Sequence, residues 1–280
     1  VIRLNEKEFT EIVAYMREFY GINLNKKKTL IECRLTKELQ RRGLSSFGEY
    51  LELLKGDRTG KTAEGIVNQL TTNYTYFMRE PVHFTILKEK IFPELFREIQ
   101  HGICNIWCAG CSTGEECYTL AMLLQDYKEE AGQIPSVRMQ ATDISREVLE
   151  KAQKGVYPLR ELERLPAVWQ KKYCRVADKK VFQVNESLKY NIMFRYQNLM
   201  QTFPASEKYH VILCRNVMIY FDKDARKALI EKLENSLHPG GYLLIGHAEL
   251  LSRDETRLEQ TAPAVYRKQR RGNGEKNINC

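Results

Sequence analysis

The residues best suited to chemistry lie in one run, ICNIWCAGCSTGEE, at positions 103–116. An apolar strand runs into Gly110, a tight turn follows, Ser112 or Thr113 is set to cap a helix, and Gly114 permits close backbone approach. This predicts a nucleotide-type cradle, yet it matches neither GxGxxG nor GxxxxGK[ST]. Where a phosphate loop offers a lysine and free backbone donors, this one carries Glu115 and Glu116, which would repel a pyrophosphate. Two carboxylates suit a phosphate-free cofactor bearing cationic groups, a description met by S-adenosylmethionine with its sulfonium and ammonium. The competing reading is that both glutamates only complement the helix dipole.

Two further positions point to the same crevice. Asp143 follows the strand-like run VRMQAT, and Ser145 then caps a new helix. A carboxylate after the second strand of a doubly wound sheet accepts two hydrogen bonds from a ribose diol. After HVILC come Arg215 and Asn216, polar residues delivered at a strand end. The D/N-P-P-Y signature of amino-methylating nucleic-acid enzymes is absent there, which argues against base methylation. Cys104, Cys108 and Cys111 have the C-x3-C-x2-C spacing of an iron–sulfur ligand set. They lie in or beside a strand rather than on an open loop, so buried thiols are expected, and a zinc or redox C-x-x-C site would occupy the turn a cofactor needs.

The elements that must position these residues are legible from periodicity. Asn5 with Glu8 fits a capping box, Phe9, Ile12, Val13, Met16 and Phe19 follow at helical spacing, and Gly21 supplies a left-handed stop. A second helix carries Leu30, Ile31, Leu35 and Leu39 inward, while Lys26, Lys27, Lys28, Arg34, Lys37, Arg41 and Arg42 crowd its other side. Two more short helices complete an all-α domain over residues 1–70. The stretch TTNYTYFMREP has no clean period and predicts a connector over 71–82. Strand, turn and helix then alternate, which predicts an α/β domain with a mostly parallel sheet over 83–270. The run VFQVNESLKYNIMF predicts a hairpin within a β subdomain near 172–195, and residues 271–280 a mobile tail.

Composition sets the outer limits. The 280 residues are 43% hydrophobic and 29% charged, values that exclude a disordered or fibrous chain. A net charge of +8 favours an acidic partner. No apolar run approaches the ~20 residues that span a bilayer, and VIRLNEKEF reads as a polar helix opening rather than a signal peptide. The expectation is a cytoplasmic chain with no membrane insertion and reduced thiols.

Taken in order, TTNYTYFMRE, AGCSTGEECYTLA, ATDIS, CRNVMIYFD and HPGGYLLIGHAE resemble the CheR family of chemotaxis receptor methyltransferases. The resemblance covers the chain to about Tyr266; the proline more usual after the paired glutamates is Cys117 here. It implies a Rossmann-like methyltransferase domain behind an all-α substrate-recognition domain. It also implies S-adenosylmethionine as donor, S-adenosylhomocysteine as product, and no metal. By position it assigns Asn73, Thr75, Arg79, Glu116 and Asp143 to cofactor contacts, Asn198 and Leu199 to the adenine side, and Arg215 with Asn216 to the same cleft. Gly110 belongs to that cradle, and Tyr220 matches a tyrosine near the methyl-transfer centre.

The implied reaction esterifies glutamate side chains of a chemoreceptor's cytoplasmic helical bundle. A glutamate with a reference pKa of ~4.3 is ionised at pH 7 and needs no general base. Joining an anion to a sulfonium removes charge, so a water-poor cleft and in-line positioning favour the transition state. Arg79 would hold a carboxylate and Tyr220 would orient the attacking oxygen. Arg34, Lys37, Arg41 and Arg42 would meet the acidic receptor face, acting as a monomer and, since the loop VADKK is short, without a receptor tether. Alternatives of another class are a nucleic-acid-binding protein, opposed by the lack of aromatics in the basic run, and a non-catalytic S-adenosylmethionine sensor.

Overall fold

The computed structural model describes residues 2–270; the expected mobile tail lies outside them. The N-terminal domain is built from α1 (Glu6–Tyr20), α2 (Lys28–Arg41), α3 (Phe47–Gly56) and α4 (Lys61–Leu70). The Asn5 side chain accepts from the Glu8 amide while the Glu8 carboxylate takes the Asn5 amide, so α1 starts on a closed capping box. Ile12, Met16, Ile31, Leu35, Leu39, Phe47, Tyr50 and Ile66 are fully buried in a core of this domain's own.

After the connector, α5 (Val82–Ile86) passes through a π turn (Leu87–Ile91) into α6 (Phe92–Ile99). The alternation that follows is β1 (Ile103–Ala109), α7 (Glu115–Ala131), β2 (Ser136–Asp143), α8 (Arg146–Lys154), β3 (Val156–Pro158), α9 (Ala167–Tyr173), β4 (Cys174–Val176), β5 (Val181–Val184), β6 (Ile192–Tyr196), β7 (Tyr209–Cys214), α10 (Lys223–Ser236), β8 (Leu237–Ile245), β9 (Glu259–Ala262) and β10 (Val265–Arg267). The main sheet has the order β6-β2-β1-β7-β8-β10-β9, parallel from β6 to β8 and antiparallel at β10 and β9. The strand order reverses between β1 and β7, and at such a switch point connections leave to opposite sides and open a crevice above the strands' carboxyl ends.

The antiparallel subdomain exists, but it is assembled differently from the expected hairpin. β5 pairs with β3 on one side and β4 on the other, so the small sheet begins at Val156 rather than near 172. β6 leaves it and lies parallel to β2 as an edge of the main sheet, with Asp143 opposite Tyr196. Alternating side chains read alike in a hairpin and in a half-covered edge strand, which is why the pattern alone did not separate them.

The two domains are pinned where α1 ends. Gly21 adopts φ 69°, Ile22 bridges to Phe221, and the Asn23 amide donates to the Tyr220 carbonyl at 2.8 Å. Arg17 pairs with Asp222 at 2.6 Å, and Arg146 with Glu64 at 2.5 Å. A Cβ at Gly21 would stand 2.7 Å from Met200 Sδ and 2.8 Å from a Phe221 ring carbon. Gly21→Ala is therefore expected to destabilise the protein by at least about 1–2 kcal/mol, the cost of the left-handed backbone alone, measured as a lower urea midpoint at unchanged slope.

Candidate functional site

Above the switch point lies a cleft of about 320 Å³, within the ~300–1,000 Å³ of small-molecule sites. Its floor comes from the strand ends: Gly110 and Cys111 after β1, Asp143 at the end of β2, Arg215 and Asn216 after β7. Asn73, Thr75 and Arg79 of the connector form one wall, and Leu199 and Tyr220 also line it. Ile22, Leu24, Lys27 and Leu30 of the helical domain close the remaining side. That last wall was not anticipated, because the amphipathic pattern of α1 and α2 shows only what faces their own core.

Arg215 organises the floor. Its side chain is 1% exposed and bridges Glu116 Oε2 at 3.0 Å and Glu80 Oε2 at 3.2 Å, while it also donates to the Arg79 carbonyl. Glu80 Oε1 accepts from Asn216 Nδ2 at 3.2 Å and from the His247 amide at 3.3 Å. Burial alone would raise the Glu80 pKa, but Arg215, Asn216 and that amide bring it below the ordinary carboxylate value. Glu116 is the opposite case: burial raises its pKa, and Arg215 offsets this only in part. One guanidinium facing two carboxylates leaves a net negative charge at the floor.

Asp143 is fixed by its neighbours. Oδ2 accepts from the Ser112 amide at 2.8 Å and Oδ1 from the Ser145 amide at 2.9 Å. Burial raises its pKa and these amides oppose the rise. Ser112 does not cap α7, and neither does Thr113: the N-cap is Gly114 at φ 94°, with no side-chain cap bond. Ser112 Oγ instead donates to the Asn73 carbonyl at 2.8 Å, tying connector to cradle. Thr113 Oγ1 donates to both oxygens of Glu115, which does not line the cleft. Of the paired glutamates only Glu116 faces the ligand space. Gly110 is required sterically, since a Cβ there would meet Val217 Cγ2 at 2.4 Å.

Other assigned residues divide. Arg79 donates to the Tyr74 carbonyl at 2.8 Å and pairs with no carboxylate among the described residues. Tyr220 Oη reaches the Thr72 carbonyl at 3.4 Å on the cleft rim. Asn198 is drawn away: Nδ2 donates to the Phe19 carbonyl at 2.7 Å, Oδ1 accepts from the Met200 amide at 2.9 Å, and the side chain does not line the cleft. Arg34 lies off the cleft, bound to the Gln69 and Thr71 carbonyls. Arg41 and Arg42 both clasp the buried Glu38, and Arg42 also covers the Tyr50 ring. Lys37 is exposed and free of ion pairs among the described residues.

Two carboxylates that sequence reading passed over hold the site together: Glu80, described above, and Glu249. Glu249 is fully buried and accepts from the amides of Asn216 at 2.7 Å, Gly246 at 2.8 Å and Ile219 at 3.1 Å. It fixes Asn216 at φ 59° and the turn (Met218–Tyr220) that carries Tyr220. Its only sequence signal was its place in the GHAE string.

Metal chemistry has one candidate among the described residues, Glu80 with His83 and His247. A cation there would face the Arg215 guanidinium, and Glu80 is already occupied by four donors. Burial first and Arg215 second hold the His83 pKa down to about 4, so its ring is neutral. The seven described cysteines are free. Cys104 and Cys108 are four residues apart on β1, roughly 13 Å along the strand, too far to share a cluster with Cys111. Burial pushes the Cys111 thiol up to about 11.

The residues present fit S-adenosylmethionine. The floor is anionic, as a cofactor with a sulfonium and an ammonium requires, and the Gly110 cradle, where a Cβ would clash with Val217, leaves room for a ligand to approach the backbone. Sheet order, switch-point cleft and acidic floor define a methyltransferase of the S-adenosylmethionine-binding class. The matching family descriptions are CheR methyltransferase, SAM binding domain, over residues 73–266, and CheR methyltransferase, all-alpha domain, over residues 7–71. The chain is 40% identical to a chemotaxis protein methyltransferase of Borreliella burgdorferi, over 95% of this chain and 96% of that one. It is 34% identical to that of Salmonella typhimurium, over 95% and 91%. The chain belongs to the CheR methyltransferase family and is an S-adenosylmethionine-dependent methyltransferase. No helix among the described residues is long and apolar enough to cross a membrane.

Two outcomes follow from this geometry. Glu249→Ala strands three backbone donors at ~1–3 kcal/mol each; a loss of about 3 kcal/mol or more in urea unfolding is expected, and Glu249→Gln should lose less. Because the Glu116 and Asp143 pKa values are raised, protonation on acidification removes anionic partners of the ligand. Calorimetric affinity for S-adenosylhomocysteine should therefore weaken as pH falls, starting above the ordinary carboxylate range near ~4.

Proposed function

We propose that the protein transfers the methyl group of S-adenosylmethionine to glutamate side chains on the cytoplasmic helical bundle of chemoreceptors, forming methyl esters. The observation that carries this reading is the rim of the cleft. Arg79, without a carboxylate partner among the described residues, and Tyr220 both line a ligand space whose remaining wall is the helical domain. A side chain entering between the two domains meets a planar cation and a phenol, groups that hold a carboxylate and orient its oxygen. The names of the relatives, chemotaxis protein methyltransferases, supply the receptor as substrate.

When bound, S-adenosylmethionine supplies an electrophilic methyl group on a cationic sulfur. The chain's own contribution is positional. Asp143 and Gly110 hold the cradle, Glu116 and Glu80 through Arg215 set the charge of the floor, and Phe84, Val217 and Ile219 line the cleft with apolar surface that excludes water. A substrate glutamate is ionised at neutral pH, so no residue has to remove a proton. Glu249 accepts from the amides of Asn216 and of Ile219 in the turn that carries Tyr220, which keeps floor and rim in register.

Receptor recognition rests on fewer charges than the basic count of α2 suggests. Arg34, Arg41 and Arg42 have structural partners and Lys28 pairs with Glu6, which leaves Lys37 on the helix and Lys26 and Lys27 just before it as the members of the basic run without an ion pair among the described residues. Incubation with labelled S-adenosylmethionine and receptor should yield label on the receptor that alkali releases; alkali-stable label would replace the ester with an N-methyl product. Lys37→Glu should raise the KM for receptor several-fold and leave affinity for S-adenosylhomocysteine unchanged; unchanged receptor kinetics would remove α2 from recognition.

A further inference from the structure

We infer that Tyr76 is a positioning residue for methyl transfer, whose ring holds the Arg79 guanidinium at the cleft. The inference rests on the proposed role of Arg79 as the cation that meets a carboxylate, and it adds how that cation is kept in place. Thr75 and Arg79 line the cleft, whereas Tyr76 does not. Tyr76 is therefore no ligand contact, yet the Arg79 guanidinium carbon lies over its ring, 5.8 Å from the centroid. That is within the reach of a cation–π contact.

The ring is itself held in place. Arg164, at the end of the 3-10 turn Leu159–Arg164 between β3 and α9, lies over it at 4.4 Å and is paired with Glu161 at 3.0 Å. The next connector residue, Phe77, is buried against Tyr157 of β3 and Phe182 of β5, with ring centroids 4.9 and 5.8 Å away. The Arg79 backbone is fixed from the floor of the cleft, since its carbonyl accepts from Arg215. Its side chain is left to the Tyr74 carbonyl, at 2.8 Å, and the Tyr76 ring. These partners suit the task. A carboxylate beside Arg79 would neutralise it and compete with an incoming one, whereas a ring face attracts a guanidinium without consuming its in-plane N–H groups. The Tyr74 carbonyl engages one nitrogen of a group with five donors, which leaves others for a ligand.

Transfer of labelled methyl groups to receptor by the full chain, read as kcat/KM, tests this in a double-mutant cycle. Tyr76→Leu should lower kcat/KM roughly 2- to 5-fold, the worth of a partly exposed cation–π contact. Tyr76→Phe, which keeps the ring face, should recover most of that loss. In an Arg79→Ala background, Tyr76→Leu should cost nothing further. If the leucine variant does not fold, Tyr76→Gln, which also lacks the ring face, takes its place in the cycle. Loss by the same factor with Arg79 present and absent, the signature of a purely structural role, would overturn the inference, as would a phenylalanine variant that loses as much as leucine. An Arg79→Ala variant as active as the wild type would instead refute the role of Arg79 on which the inference stands.

Discussion

The structure of the cleft depends on one buried cation. Arg215, delivered by the end of β7, is shared between Glu116 at the start of α7 and Glu80 in the connector, segments 99 and 135 residues away in sequence. A guanidinium removed from water is costly unless paired, and deleting it would strand two carboxylates, a loss of the order of 3–5 kcal/mol. The pairing therefore joins connector, sheet edge and first crossover helix into one unit. It also fixes the sign of the floor, since the carboxylates outnumber the cation that holds them.

The backbone is forced to fit this arrangement. Met78, Glu80, Ser112 and Asn216 all have positive φ without being glycine, and they fall in the connector, the cradle and the turn after β7. Such conformations cost about 1–3 kcal/mol each and persist where surrounding contacts overdetermine them. Those contacts are visible: Ser112 is held by Asp143 and Asn73, Asn216 by Glu249 and Glu80. Four of the six described non-glycine residues with positive φ thus lie at the cleft; the other two are Gln100 at the end of α6 and the buried Ala264 between β9 and β10.

Much of the architecture was legible from periodicity and turn chemistry. The capping box at Asn5, the left-handed stop at Gly21 and the strand-to-helix cradle at Gly110 are local signals, and the structure realises them where local rules place them. What stayed hidden is long-range. Spacing marks Arg34, Arg41 and Arg42 as a basic face, but only the folded chain reveals Glu38 beneath two of them and the end of α4 under the third. The same applies to Glu249, whose three partners come from the turn after β7 and the loop after β8. Ser112 was read as a helix cap because serine before a helix is usually one; here its amide and hydroxyl are drawn to Asp143 and Asn73 instead.

An acidic floor at the switch point should admit a nucleoside that carries a sulfonium or an ammonium and reject polyphosphates. The most direct measurement is a pair of calorimetric titrations under identical conditions, one with S-adenosylhomocysteine and one with ATP. Saturable binding of the first with no detectable heat from the second is the predicted result; tight binding of ATP with none of S-adenosylhomocysteine would contradict the account.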